Sequence, residues 1–207
     1  MRVVGTIAVV DAEGCTGCTI CERICPTLAI TMRDRLAVIE DQRCAGCNVC
    51  EQRCPEYCIK MEARPKTFVM ATDLAKVDRT RIHELCRKAH LHPEQLICFC
   101  TGTRADELAA AVLLGARSPE DMSFMTGVRT GCTVICHQPI LRILAAAGIE
   151  PTPPPRGWQW YGRTATTWEI SEETKRKYAG RGFYFDADVE LMERAVAAPS
   201  DGEGGTL

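Results

Sequence analysis

The sequence has no excess of charge of either sign: 25 Lys and Arg stand against 27 Asp and Glu, a formal net of −2 over 207 residues. A nucleic-acid-binding surface needs a basic balance that is missing here. No stretch approaches the roughly eighteen apolar residues of a membrane span. The opening MRVVGTIAVV has one arginine and a short apolar run, but leads directly into a cysteine motif without a small-residue cleavage site. A glycine-rich phosphate loop, a Ser/His/Asp arrangement and a His/Glu zinc signature are lacking too. No catalytic residue is therefore assigned, and the chain is not expected to be catalytic alone. Aromatics are scarce, twelve in all, and eight of them fall beyond residue 150. These absences predict a soluble, cytoplasmic chain of one or two domains, with no nucleic-acid partner, no membrane span and no substrate-processing site of its own.

Cysteine is abundant instead. Of fourteen, nine lie between Cys15 and Cys58, and none lies beyond Cys136. Disulfide frameworks spread their bridges, whereas metal sites concentrate thiols. Runs such as CTGCTICERIC therefore point to metal ligation in a reducing compartment.

Sliding the chain by 29 positions lays AVVDAEGCTGCTICERICPTLAI (8–30) over AVIEDQRCAGCNVCEQRCPEYCI (37–59), with cysteines, glycines and prolines in register. Each copy reads as a short strand (8–10 and 37–39), a cysteine loop, a helical turn entered at Cys-Pro, and a second strand. Two such copies pair into one pseudo-symmetric unit. The loops are Cys15-x2-Cys18-x2-Cys21-x3-Cys25-Pro26 and Cys44-x2-Cys47-x2-Cys50-x3-Cys54-Pro55. This spacing resembles the bacterial two-cluster ferredoxin, in which three thiolates of a run hold one cluster and the fourth ligates the other. The resemblance implies that Cys15, Cys18, Cys21 and Cys54 hold one 4Fe-4S cluster and that Cys44, Cys47, Cys50 and Cys25 hold a second. Gly17 and Gly46 leave room for the backbone to curl around each cluster. Two zinc sites are the alternative, but zinc takes four ligands from separated pairs, and here four thiols crowd into eleven residues twice. Cys58 stands where the first copy has Ala29 and reads as a small core residue.

Residues 60–77 lack a period and read as a connector. A helix is expected from about Asp78, with Ile82, Leu85, Cys86 and Ala89 on its apolar face, which makes Cys86 a core thiol. His83, His90 and His92 read as surface or cap residues. Next comes Cys98-x-Cys100, then thirty-one residues, then Cys132-x3-Cys136. Between the pairs, caps and glycines predict helices over 103–115 and 118–127, and a third is expected from about Pro139 to Gly148. The effect is to bring the two pairs to neighbouring helix ends. This stretch resembles the bacterioferritin-associated ferredoxin-like 2Fe-2S domain, a helix-turn-helix module with Cys-x-Cys and, about thirty residues on, Cys-x2-Cys. The resemblance implies Cys98, Cys100, Cys132 and Cys136 as ligands of a 2Fe-2S cluster. The second pair departs from it by one residue, so a cubane or a zinc ion at these thiols is the alternative. His137 follows Cys136, but four thiols suffice without it.

The expected architecture is therefore α+β: a two-cluster ferredoxin fold (1–62), a connector with a helix (63–94), a small all-α 2Fe-2S domain (95–150) and an extended tail (151–207). The tail opens on a proline-rich spacer and contains Trp158, Trp160 and Trp168. A short helix over 171–178 and a disordered APSDGEGGTL end are expected in it. Aromatics without a core of their own tend to be buried against a partner; the alternative is that the tail wraps back over its own domains. The combination resembles small iron-sulfur subunits of multisubunit oxidoreductases. It implies a relay of single electrons between a flavin- or metal-containing catalytic partner, docked through 151–207, and an acceptor. An iron-sulfur redox or iron sensor, an iron-handling protein and a free ferredoxin carrier are the alternatives.

Overall fold

The computed structural model describes residues 1–154 and 162–200. The chain opens with strand β1 (Arg2–Val10), whose Val and Ile content favours extended backbone. It continues through α1 (Ile20–Ile24), the hairpin β2 (Ile30–Arg33) and β3 (Leu36–Ile39), then α2 (Val49–Arg53) and the long strand β4 (Ile59–Met70). β1 and β4 pair antiparallel from Arg2 opposite Met70 to Val10 opposite Ile59. The register jumps opposite Gly5, where residues 64–67 of β4 are passed over. Pro65 lies in that gap, and its missing amide N–H accounts for the break in the ladder.

The 29-residue repeat is a repeat of structure. Thr19 and Asn48, and Leu28 and Tyr57, occupy equivalent left-handed positions. The Glu22 carboxylate accepts from the Met32 amide at 3.1 Å, as Glu51 accepts from Met61 at 3.2 Å. Arg35 donates to the Thr16 carbonyl, and its repeat equivalent Arg64 donates to the carbonyls of Asp41 and Cys44. Two expectations need correction. The short helices lie ahead of the Cys-Pro steps and end at Cys25 and Cys54, both extended with ψ of 115° and 113°. A residue before proline is pushed out of the helical region, so Cys-Pro closes the turn and does not open it. The expected connector 60–77 is largely β4: its residues alternate with a partner strand too remote in sequence to leave a local period.

The next part packs around one apolar core. Helix α3 (Arg79–Lys88) starts at Asp78, whose side chain accepts from the Thr80 amide, and it buries Ile82, Leu85 and Cys86 as expected; His83 is buried on the same helix, contrary to the surface or cap role expected of it. Strands β5 (Leu96–Cys98) and β6 (Thr103–Arg104) form a small hairpin, a departure from an all-α module. Because Thr103 is engaged in that hairpin, the following helix α4 (Ala105–Leu113) begins later than its caps suggest. Helix α5 (Pro119–Thr126) has the expected Ser118 cap, N-terminal proline and left-handed Gly127. Helix α6 (His137–Ala146) starts directly after Cys136, ahead of Pro139.

In the tail, α7 (Glu172–Tyr178) follows its Ser171 cap, while α8 (Phe185–Val196) has no counterpart among the expected elements. Neither helix buries a residue, so the described residues of the tail form no core of their own. It returns to the helical part at several points: Trp168 stacks on His90 at 4.2 Å, Gln138 exchanges hydrogen bonds with Gly162 and Thr164, and the Ala198 carbonyl meets the His92 ring. Tyr178, Phe183 and Phe185 pack together, with Phe183, Tyr184 and Leu191 exposed. Trp158, Trp160 and the terminal segment after Ser200 lie outside the described residues.

Candidate functional site

The repeated part contains two small spaces. One is bordered by Cys15, Cys18, Cys21 and Cys54; the other is bordered by Cys25, Cys44, Cys47 and Cys50. Each space thus receives three thiols from one loop and one from the other, because the helix ending at Cys25 or Cys54 delivers the fourth thiol across the pseudo-twofold. Burial pushes the Cys21 thiol up to about 11, with the neighbouring Cys18 and Cys15 adding to the shift. Burial likewise pushes Cys50 up to about 12, followed by the charges of Cys47, Cys25 and Cys44. Thiols that raise one another in this way form a site for positive charge, and metal binding there releases protons.

The glycines in these loops are required by contact as well as conformation. A Cβ on Gly17 (φ +74°) would stand 2.6 Å from the Arg35 carbonyl oxygen, at the β2–β3 turn. A Cβ on Gly46 (φ +59°) would stand 2.7 Å from that of Thr6, beside the β1 irregularity. Left-handed strain alone costs about 1–3 kcal/mol, and neither obstacle is a movable side chain. Gly17→Ala is expected to lower iron content by about four per chain through loss of one cubane, while the other keeps its EPR signal. Unchanged iron content would refute the requirement.

In the helical part, Cys98 and Cys136 are buried and Cys100 and Cys132 are exposed. Cys136 donates to the Cys98 sulfur; that hydrogen bond, aided by Thr101 and the Arg129 amide, holds the Cys98 thiol down to about 4 and raises Cys136. The Cys132 amide approaches the Cys100 sulfur at 3.4 Å, and the amides of Val134 and Ile135 turn toward Cys132, holding its thiol low. All four sequence-designated thiols therefore come together. Cys136 sits at a helix N-terminus as expected, whereas Cys98 ends strand β5 and Cys100 lies in the β5–β6 turn. The three-residue spacer includes Thr133 in the left-handed region (φ 61°). Behind the thiols, Arg129 and Glu120 form a buried ion pair at 3.0 Å.

Three features escape the sequence. Gly131 is one: a Cβ there would fall 2.5 Å from the Cys100 Cβ, so its absence makes room for a thiol. A signal is present, since glycine precedes cysteine at Gly17-Cys18, Gly46-Cys47 and Gly131-Cys132 alike. Cys58 is the second. It is buried, as expected of a core residue, yet it borders the first space and lies 3.4 Å from the Cys54 sulfur. Third is Arg2, which bonds to the Cys44–Cys47 loop and to Thr130 ahead of Cys132 and has no sequence signature.

The donor sets fit iron-sulfur clusters: each has four thiols, backbone amides directed at sulfur, and a glycine where a side chain would obstruct. Among the described residues, no three His, Cys, Asp or Glu side chains converge as they would on a single metal ion. No helix among the described residues is long and apolar enough to cross a membrane. No curated protein and no solved structure gives a significant match to the chain. Two family models do match: a 4Fe-4S dicluster domain over residues 7–55 and a BFD-like 2Fe-2S binding domain over residues 96–146. The chain therefore carries a 4Fe-4S dicluster domain with two 4Fe-4S clusters, followed by a BFD-like domain with a 2Fe-2S cluster, and its chemistry is electron transfer or redox.

Proposed function

We propose that this chain is the electron-transfer subunit of a multisubunit oxidoreductase, relaying single electrons between a flavin- or metal-containing catalytic partner and an acceptor in the cytoplasm. In this reading Cys15, Cys18, Cys21 and Cys54 ligate one 4Fe-4S cluster, Cys25, Cys44, Cys47 and Cys50 the other, and Cys98, Cys100, Cys132 and Cys136 the 2Fe-2S cluster. When bound, each cluster supplies a one-electron carrier. The protein's share is to hold the thiolates, direct amides at them and exclude water from the buried ones. The observation that carries the reading is that three separate thiol sets stand in one chain, with no substrate-processing residues beside them among the described residues.

The surface around the third set supports a protein partner. Its two outer thiols, Cys100 and Cys132, are flanked by Phe99, Val134 and Ile135, which are 69, 70 and 62% exposed. Large apolar side chains held out around a redox centre suit a contact that dries the path between two proteins. Anaerobic purification is expected to give about ten irons per chain, with EPR signals of two cubanes and one 2Fe-2S centre. About twelve irons would make the third centre a cubane, and about eight with zinc would leave it structural. Either result would remove the third centre as assigned.

A further inference from the structure

We propose that Arg2 is a positioning residue that fixes the second thiol site (Cys25, Cys44, Cys47, Cys50) against the third (Cys98, Cys100, Cys132, Cys136), so that electrons cross between the two halves through the second site, with the first site at the far end. The inference rests on the ligand sets and relay proposed above.

Its basis is one guanidinium shared by two cysteine loops. Arg2 Nε donates to the Ala45 carbonyl at 2.7 Å and Nη2 to the Gly46 carbonyl at 2.8 Å. Nη1 donates to the Thr130 carbonyl at 3.1 Å and reaches its hydroxyl at 3.2 Å. Ala45 and Gly46 lie between Cys44 and Cys47; Thr130 precedes Gly131 and Cys132. The two loops are therefore separated by the width of a guanidinium group. The approach is close, since a Cβ on Gly127 would stand 2.6 Å from the Arg2 Cβ.

Further contacts run along the same seam. Val4, Ala45 and Met70 pack with Cys47, Phe68 and Phe124, the last from α5. Arg43 lies over the Phe124 ring at 4.8 Å, and the Thr72 hydroxyl donates to the Met125 carbonyl. The first loop is held differently: Thr16 bonds to Glu56 and Arg35, and Gly17 abuts Arg35, all within the repeated part.

Repeat symmetry separates Arg2 from the residues that merely support a loop. Arg35 and Arg64 are repeat equivalents, and each secures its own loop. Arg2 has no such equivalent, because the position 29 residues on is Thr31, exposed on β2. The second loop thus has one arginine more than the first, and the extra one faces the third site. A guanidinium suits this bridging position, since its rigid fork satisfies several carbonyls at once, which a lysine ammonium on a flexible stem does not. Electron transfer falls steeply with distance, so fixing this separation fixes the rate between the halves.

The test uses the full chain with Arg2→Gln and Arg2→Lys, prepared anaerobically. Iron content should be unchanged. Loss of charge-assisted bonds worth roughly tenfold or more in the docked equilibrium should slow electron re-equilibration between the 2Fe-2S centre and the cubanes, followed by pulse radiolysis, by about tenfold. Arg2→Lys should slow it less. The potential of one cubane alone should become more negative, because a cation near it favours the reduced form. Unaltered rates at full iron content, or equal shifts of both cubanes, would overturn the role of Arg2. A measurement on the unaltered chain guards against a variant that fails to fold: stepwise reduction should split the 2Fe-2S EPR signal when the cubane sensitive to Cys47→Ser is reduced. Splitting by the other cubane alone overturns the order. Absent clusters in the unaltered chain would instead refute the ligand sets, and would be seen before any variant is made.

Discussion

Removal of residues 151–207 is expected to leave all three clusters assembled and to abolish co-purification with the catalytic partner. The first half of this expectation follows from the cores. Among the described residues, the apolar cluster of the helical part includes no tail side chain, and all twelve proposed ligands precede residue 137. What the tail gives to that part is surface contact, such as Trp168 on His90 and the bonds to Gln138. The second half follows from what the tail leaves uncovered. Phe183 and Tyr184 stand exposed in the link between α7 and α8, near Tyr178 and Phe185 of those helices, which bury nothing. Buried aromatics at an interface centre cost about 2 kcal/mol or more each when truncated, which is about thirtyfold in affinity. Phe183→Ala with Tyr184→Ala should therefore weaken capture of the partner strongly while iron and sulfide stay at their normal level. Retention of the partner by the truncated chain would eliminate the tail as the docking element.

Glu120→Gln is expected to destroy the third centre and spare the other two. Glu120 and Arg129 are 2% and 1% exposed and form an ion pair at 3.0 Å. Removing one partner of a buried ion pair deprives the other desolvated charge of that counter-charge, at a cost of about 3–5 kcal/mol. Arg129 cannot move away, because its own amide is directed at the sulfurs of Cys98 and Cys136 and its backbone is left-handed (φ 66°). The penalty therefore falls on the loop that ends in Cys132 and Cys136. Loss of the 2Fe-2S EPR signal with both cubane signals intact, and a melting transition lowered by about 10 °C or more for that half, would be the result. The isosteric amide keeps the volume, so a cavity does not explain the change. An unchanged 2Fe-2S signal would show that the pair is dispensable to the centre.

How far the sequence can be read depends on how local each signal is. The cysteine loops are legible because ligation of a compact cluster imposes short spacing, and the caps of α3, α5 and α7 are legible because capping is a matter of three or four residues. β4 is not, since its pairing with β1 joins residues from opposite ends of the repeated part, and no window of sequence contains both. The placement of the short helices fails for another reason. Proline reads as a helix opener, but its effect on the preceding residue prevails, and Cys25 and Cys54 become helix ends. Convergence of all four helical-part thiols despite the longer Cys132-x3-Cys136 spacing rests on a loop with two left-handed residues that carry side chains, Arg129 and Thr133. No propensity would assign that conformation to them. Arg2 is invisible for a similar reason: one arginine near a strand start says nothing until three carbonyls from two distant loops are seen around it.

The β1–β4 pairing also dictates an order of assembly. Arg2 is opposite Met70, so closing this ribbon ties off nearly the whole repeated part as a single loop. Closure of that kind is entropically costly and slow to nucleate compared with local helix formation. The seam to the helical part is built from the ends of the same ribbon: Arg2 and Val4 on one strand, Phe68 and Met70 on the other. It has no surface to form against until those ends meet. The helical part can collapse early on local contacts, but the halves dock only after the loop between the ribbon's strands has closed. A chain arrested before that point would have its thiol loops unconnected across the seam, so completion of the proposed electron path would be coupled to the last long-range step of folding.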